Sequence, residues 1–122
     1  MVRLIGIAAA LILSNLPVAA QAMDAQSFYT QSLVLKKKGV AALASPELKP
    51  LVAEMRLARQ AVRAENEKAK LAGKPLYCPP ATRNMTADEL LTEFGRIPKP
   101  RRSKISVTQA FREILIRKYP CG

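Results

Sequence analysis

The two cysteines of this 122-residue chain limit its fold more than any other feature of the sequence. Cys78 lies in PLYCPP and Cys121 lies in YPCG, so a bond between them would close the last third of the chain into one loop. Two cysteines of an exported chain usually pair. Closing a loop of this length stabilises a domain by about 4 kcal/mol in the chain-entropy description. A reactive or metal-binding thiol is the alternative, and it has less support because the chain has no histidine and no CxxC.

The first 22 residues bear on that bond because they predict export. Arg3 precedes an apolar run from Leu4 to Leu13, and Ala20-Gln21-Ala22 is the small-x-small pattern that a signal peptidase recognises. The run is shorter than the roughly 20 residues that cross a bilayer. We therefore expect a signal peptide over 1–22, cleavage after Ala22 and a periplasmic protein. An uncleaved anchor or a buried N-terminal helix is the alternative.

Residues 23–122 then form a single basic domain, whose first half contains two helical stretches. Residues 24–38 begin at Asp24, a good N-cap, and end in three lysines before Gly39, which suits the closing left-handed position. The second stretch, 45–72, begins with Ser45-Pro46-Glu47, but Pro50 means that either the first turn is separate or the helix kinks. Its apolar stripe at helical spacing is Leu51, Met55, Ala58, Val62, Ala69 and Ala72.

The second half of the domain contains two more helices between the cysteines. Thr86 to Glu89 and Ser106 to Gln109 are capping boxes, and Gly95 is expected to end the first of these helices. The stripe of the last helix is Val107, Ala110, Phe111, Ile114 and Leu115. We predict an all-α bundle of about four helices, with a C-terminal hairpin over 77–122 closed by the disulfide. The sequence leaves both a monomer and a homodimer through the alanine-lined half of the long helix open.

The sequence contains no recognisable catalytic motif. Histidine, the commonest general base and metal ligand, is missing, and neither a phosphate-binding glycine loop nor G-x-S-x-G is present. Carboxylates mostly cap helices or stand near basic residues, as with Arg63 and Glu67 at i, i+4. We expect a protein without enzymatic activity, metal or cofactor.

The segment RIPKPRRSK is the most basic part of the chain. Its cations are Arg96, Lys99, Arg101, Arg102 and Lys104. One interpretation is a solvated loop that keeps a small basic protein soluble. The other is a docking surface for an acidic protein, since charge steers encounter and prolines lower the ordering cost. Nucleic acid is not expected, because the gap between the helices exceeds a helix-turn-helix turn and aromatic interleaving is missing.

The pattern from Tyr77 to Cys121 resembles a known family. CPP, the capped helix TADELLTEF, an IP before a basic run, and an amphipathic helix ending in KYPC are similar to the small exported immunity proteins of the Rap/Tai type. The resemblance implies a helical periplasmic protein that binds and blocks a peptidoglycan hydrolase. It covers about 45 residues and does not extend over 23–74. The alternative function is a basic accessory protein that associates with anionic envelope components.

Overall fold

Five α-helices and one 3-10 helix make up the regular structure in this computed structural model, which describes residues 23–81 and 84–122. The predicted signal peptide lies outside these residues. In chain order the elements are α1 (Ala25–Lys37), a 3-10 helix (Gly39–Ala44), α2 (Leu48–Leu71), α3 (Ala87–Arg96), α4 (Lys99–Arg102) and α5 (Val107–Lys118). The prediction of an all-α bundle is confirmed, and the four predicted helices correspond to α1, α2, α3 and α5. The 3-10 helix and the single turn of α4 are additional.

The predicted caps explain where α1, α3 and α5 begin. Asp24 accepts from the Ser27 amide at 2.8 Å, and Thr86 accepts from the Glu89 amide at 3.1 Å. Ser106 forms both halves of its capping box with Gln109. These side chains satisfy amides that have no partner inside a helix.

Helix α2 begins later than its sequence suggests. Ser45 to Glu47 form a turn outside the helix, in which the Ser45 hydroxyl donates to the Glu47 carboxylate. Pro50 is the third residue of α2, where a backbone amide would have no helical partner. The alternative of a separate first turn is therefore correct, and Pro50 costs the helix no hydrogen bond.

The core lies between α2 and α5, and α1 and α3 complete it. Phe28 of α1 and Phe94 of α3 pack as a tilted ring pair with centroids 5.1 Å apart. The segment before α1 is joined to the start of α5: the Ala25 amide donates to Ile105 at 2.9 Å, and the Val107 amide donates to Met23 at 3.1 Å. Large residues without exposed surface are Phe94, Ile114, Val62 and Val107. Both predicted stripes thus form the core, except that Ala69 is half-buried and Ala72 is exposed.

The C-terminal hairpin is closed as predicted. Cys78 and Cys121 form a disulfide, and the Cys78 amide donates to the Tyr119 carbonyl at 2.8 Å. Asn66, buried on α2, holds the other side of this segment. Its amide group donates to the Tyr77 carbonyl at 3.1 Å and accepts from the Leu76 amide at 2.8 Å. The chain entering the disulfide is therefore fixed to both α2 and the end of α5.

Gly95 does not end α3 as expected, because the helix continues to Arg96. A Cβ at Gly95 would lie 2.8 Å from the Tyr29 hydroxyl oxygen, closer than side chains tolerate. This glycine leaves room on α3 for the Tyr29 side chain of α1. No helix in the described ranges 23–81 and 84–122 is long and apolar enough to cross a membrane.

Candidate protein-binding surface

Arg102 was expected on a docking surface, and the structure places it in the interior. Only 8% of the residue is exposed. Its guanidinium donates to the carbonyls of Phe94, Gly95 and Ile97 at 2.7 to 3.2 Å and lies 4.4 Å from the centre of the Tyr29 ring. A further bond reaches Gln26 at 2.7 Å. Arg102 therefore holds the end of α3 against α1, and its assignment as a contact residue is wrong.

Two further cations of this segment are already paired. Arg101, in α4, forms a two-pronged ion pair with Glu113 of α5. Arg96 lies 3.3 Å from Glu93, a buried carboxylate that also accepts from Arg117 at 2.7 Å. The segment thus contains the helical turn α4 and is not the solvated basic loop that its composition suggests. Lys99 and Lys104 are exposed, and any contact with a partner by the four cations other than Arg102 stays a prediction.

Helix α2 has the arginines that remain unpaired. The described residues contain eight arginines, and Arg112 pairs with Glu65 through two bonds of 2.6 Å. With Arg96, Arg101, Arg102 and Arg117 also engaged, three are left without a hydrogen bond or ion pair in the described ranges. They are Arg56, Arg59 and Arg63, all exposed on α2.

The expected pair between Arg63 and Glu67 is not formed. Glu67 instead lies 3.6 Å from Lys70. The spacing of Arg56, Arg59 and Arg63 places them on one side of the helix, where they line a surface hollow of about 470 Å³ with Val52, Met55 and Gln60. We refer to these three residues as the arginine face.

An apolar groove begins beside the arginine face. It has a volume of about 370 Å³ and lies between α1, the 3-10 helix, α2 and α3. Its lining is mainly apolar and includes Phe28, Leu35, Ala42, Leu51 and Leu91. Arg59 lies at its edge. Two large apolar residues of the same 3-10 helix are exposed, Val40 at 85% and Leu43 at 78%.

A third depression, which we call the tyrosine cleft, is also lined by Arg59. Its volume is about 500 Å³, and it is lined by Arg59, Arg63, Tyr77, Phe111 and Tyr119 among others. Its lining within the described residues includes no acid. Burial raises the pKa of the Tyr77 phenol; nearby Arg63 opposes this shift, and Glu67 and Glu65 add to it. The phenol is therefore protonated at neutral pH and can donate a hydrogen bond.

Groove, arginine face and cleft form one continuous surface, because Arg59 lines all three depressions. Sequence reasoning missed this surface. The three arginines at i, i+3 and i+7 were one available signal, but Glu67 stands four residues after Arg63 and suggested a pair. In the described part of the chain, no group of three or more histidines, cysteines or carboxylates could hold a metal.

Comparison with known proteins supplies no further guide to the partner. No family model matches this chain, no curated relative is found, and no solved structure matches its fold.

Proposed function

We propose that this chain is a non-catalytic, exported protein-binding domain that takes an acidic partner protein on the arginine face. The observation that carries the proposal is that Arg56, Arg59 and Arg63 are the arginines left unpaired in the described residues, and they adjoin an apolar groove. An apolar centre with a charged margin is the usual anatomy of a protein interface.

The type of cation supports a protein partner over a general solubilising role. Arginine is enriched at protein interfaces and among their energetic hot spots, whereas lysine is depleted. The guanidinium binds carboxylates through two parallel hydrogen bonds, which a lysine ammonium cannot do. Here the unpaired arginines lie together, beside exposed apolar surface.

The partner class comes from the resemblance over Tyr77 to Cys121. Proteins of the Rap/Tai immunity type block peptidoglycan hydrolases, and a hydrolase with an acidic margin around its cleft would complement the arginine face. We therefore propose an immunity-type inhibitor of a peptidoglycan hydrolase. Periplasmic localisation and a cleaved signal peptide belong to the same proposal.

Partner capture tests this function. Tagged, oxidised protein would be incubated with envelope extract, washed at rising salt and analysed by mass spectrometry, beside a variant with Arg56→Gln, Arg59→Gln and Arg63→Gln. We expect one hydrolase to stay bound at high salt on the native protein and to be lost from the variant. The native protein should then block peptidoglycan hydrolysis by the captured hydrolase, and the variant should not.

The alternative function, association with anionic envelope material, gives a different result. Exposed charges are screened at moderate salt, with a Debye length of about 8 Å near 0.15 M. Loss of every protein and envelope component at that salt would contradict the inhibitor and favour the alternative.

A further inference from the structure

The tyrosine cleft combines two free cations with an apolar floor. Arg59 and Arg63 reach it from α2, whereas Phe111 and Leu115 of α5 contribute apolar surface. Both arginines lack a partner in the described residues, although Glu65 and Glu67 stand close by in sequence and are bound elsewhere. The cleft therefore contains two cations without an ion pair in the described residues, while Glu65 and Glu67 lie near enough to act on the Tyr77 phenol.

The walls of the cleft are held in place by several independent contacts. Asn66 fixes the backbone of Tyr77 from the side of α2. The disulfide and the bond from the Cys78 amide to the Tyr119 carbonyl fix it from the end of α5. A rigid pocket lowers the entropic cost of binding, because its side chains need little further ordering. Tyr77 and Tyr119 thus form a preorganised rim.

The chemistry of the lining indicates a carboxylate on an apolar body. An arginine fork pairs with a carboxylate through two charge-assisted hydrogen bonds, and a protonated phenol can add another. Phe111 and Leu115 line the cleft, so an apolar group next to the charge would contact apolar surface there. A fully hydrated anion such as inorganic phosphate offers no such group.

The occupant should also extend beyond the cleft. Arg59 connects it with the arginine face and the apolar groove, a surface longer than a small organic acid covers. We propose that the tyrosine cleft holds an acidic side chain of the partner protein, carried next to an apolar side chain. This inference rests on the proposed function and adds which feature of the partner the cleft recognises.

Two matched peptides test the cleft directly. Acetyl-Leu-Glu-Phe-amide and acetyl-Leu-Gln-Phe-amide would be titrated into the purified, oxidised protein and followed by NMR. We expect the Glu peptide to bind roughly ten-fold more tightly, because it alone provides a carboxylate. Its chemical-shift changes should centre on Tyr77, Phe111 and the Arg63 side chain. Equal affinity of the two peptides would overturn the proposal, and so would shifts centred on Lys99 and Lys104.

Variants separate the cleft from the rest of α2. Arg63→Gln should remove the preference for the Glu peptide, whereas Lys68→Gln should keep it, because Lys68 is exposed on α2 but does not line the cleft. Tyr77→Phe should weaken binding by a smaller factor. Tighter binding of 3-phenylpropionate than of the Glu peptide would overturn the assignment to a protein side chain and indicate a free organic acid.

The outcome is distinguishable from that of the proposed function. A hydrolase whose capture is unchanged by Arg63→Gln would leave the proposed function standing and overturn the cleft as its anchor. If the Glu peptide binds in the cleft but the capture experiment retains no protein, the cleft's preference for a carboxylate is supported. The proposed protein-binding function is then contradicted.

Discussion

The basic segment 96–104 and the arginine face of α2 both contain arginines, but those of the segment are buried or paired and those of the face are unpaired in the described residues. In the segment, Arg102 is buried against carbonyls and Arg101 and Arg96 are paired with acids. On α2, Arg59 and Arg63 have no partner in the described residues. High charge density along a sequence therefore does not identify free charges, because the fold can satisfy them.

The largest expected effect concerns Arg102. Arg102→Leu should destabilise the domain by roughly 2–4 kcal/mol, since three carbonyls at the end of α3 lose this donor and those of Phe94 and Ile97 are buried. Urea unfolding would measure the change. Lys104→Leu is the matched control and should stay within about 0.5 kcal/mol. Equal stability of both variants would contradict a structural role for Arg102.

Charge reversal in the two regions should affect binding unequally. Arg59→Glu with Arg63→Glu should weaken affinity for the captured hydrolase by roughly ten-fold or more, because like charges then face an acidic partner. Lys99→Glu with Lys104→Glu should change it by less than about two-fold, as expected for charges at an interface margin. Calorimetric titration would compare the two. A larger loss of affinity in the Lys99→Glu, Lys104→Glu variant would indicate that the basic segment forms the interface.

A paired arginine should leave a signature in the pH dependence of stability that an unpaired one lacks. Arg112 holds the pKa of Glu65 below its ordinary value of 4.5 by hydrogen bonding. The folded-state pKa is thus the lower one, so this pair stabilises the fold above about pH 4.5 and loses its effect as pH falls further. Glu65 is partly exposed, so the contribution should be about 1 kcal/mol or less.

Urea midpoints between pH 6 and pH 3 would show this effect. Glu65→Gln should flatten the fall of stability below pH 4.5, and the part that remains should come from carboxylates such as Asp24, whose pKa the Ser27 hydroxyl lowers. Arg59→Gln should leave the profile unchanged. An altered profile in Arg59→Gln would reveal an acid paired with Arg59 and contradict its free state.

The smallest expected effect comes from releasing a paired cation. Glu113→Gln frees Arg101 in α4, so the basic segment gains one available charge. We expect hydrolase affinity to change by less than about two-fold, because this exposed position lies outside the arginine face. A marked gain in affinity would show that pairing with Glu113 restrains binding by the basic segment.

Much of the fold follows from local patterns. Asp24, Thr86 and Ser106 cap helices where their sequences predict, and the stripe from Val107 to Leu115 is buried. The start of α2 was placed too early, because Ser45 and Pro46 are good starting residues while the helix that follows tolerates Pro50 only in its first turn. The role of Gly95 could not be predicted, since it depends on Tyr29 from another helix.

The candidate surface could hardly be predicted, for a related reason. Which cations are free depends on partners distant in sequence: Arg112 binds the Glu65 carboxylate, and Arg102 binds the Gln26 side-chain amide oxygen. The role of Asn66 could not be predicted either, because its position on an otherwise apolar stripe does not indicate which backbone groups it binds.

The sequence by itself determined the helices, their caps, their buried stripes and the single intramolecular disulfide, because these depend on local backbone preferences, on hydrophobic periodicity and on the presence of only two cysteines. Only the tertiary structure decided that Arg102 is a structural residue and that Arg56, Arg59 and Arg63 have no ion pair within the described residues. The physical reason is that charges pair through space, and the positions of their partners are set by how α2, α4 and α5 pack.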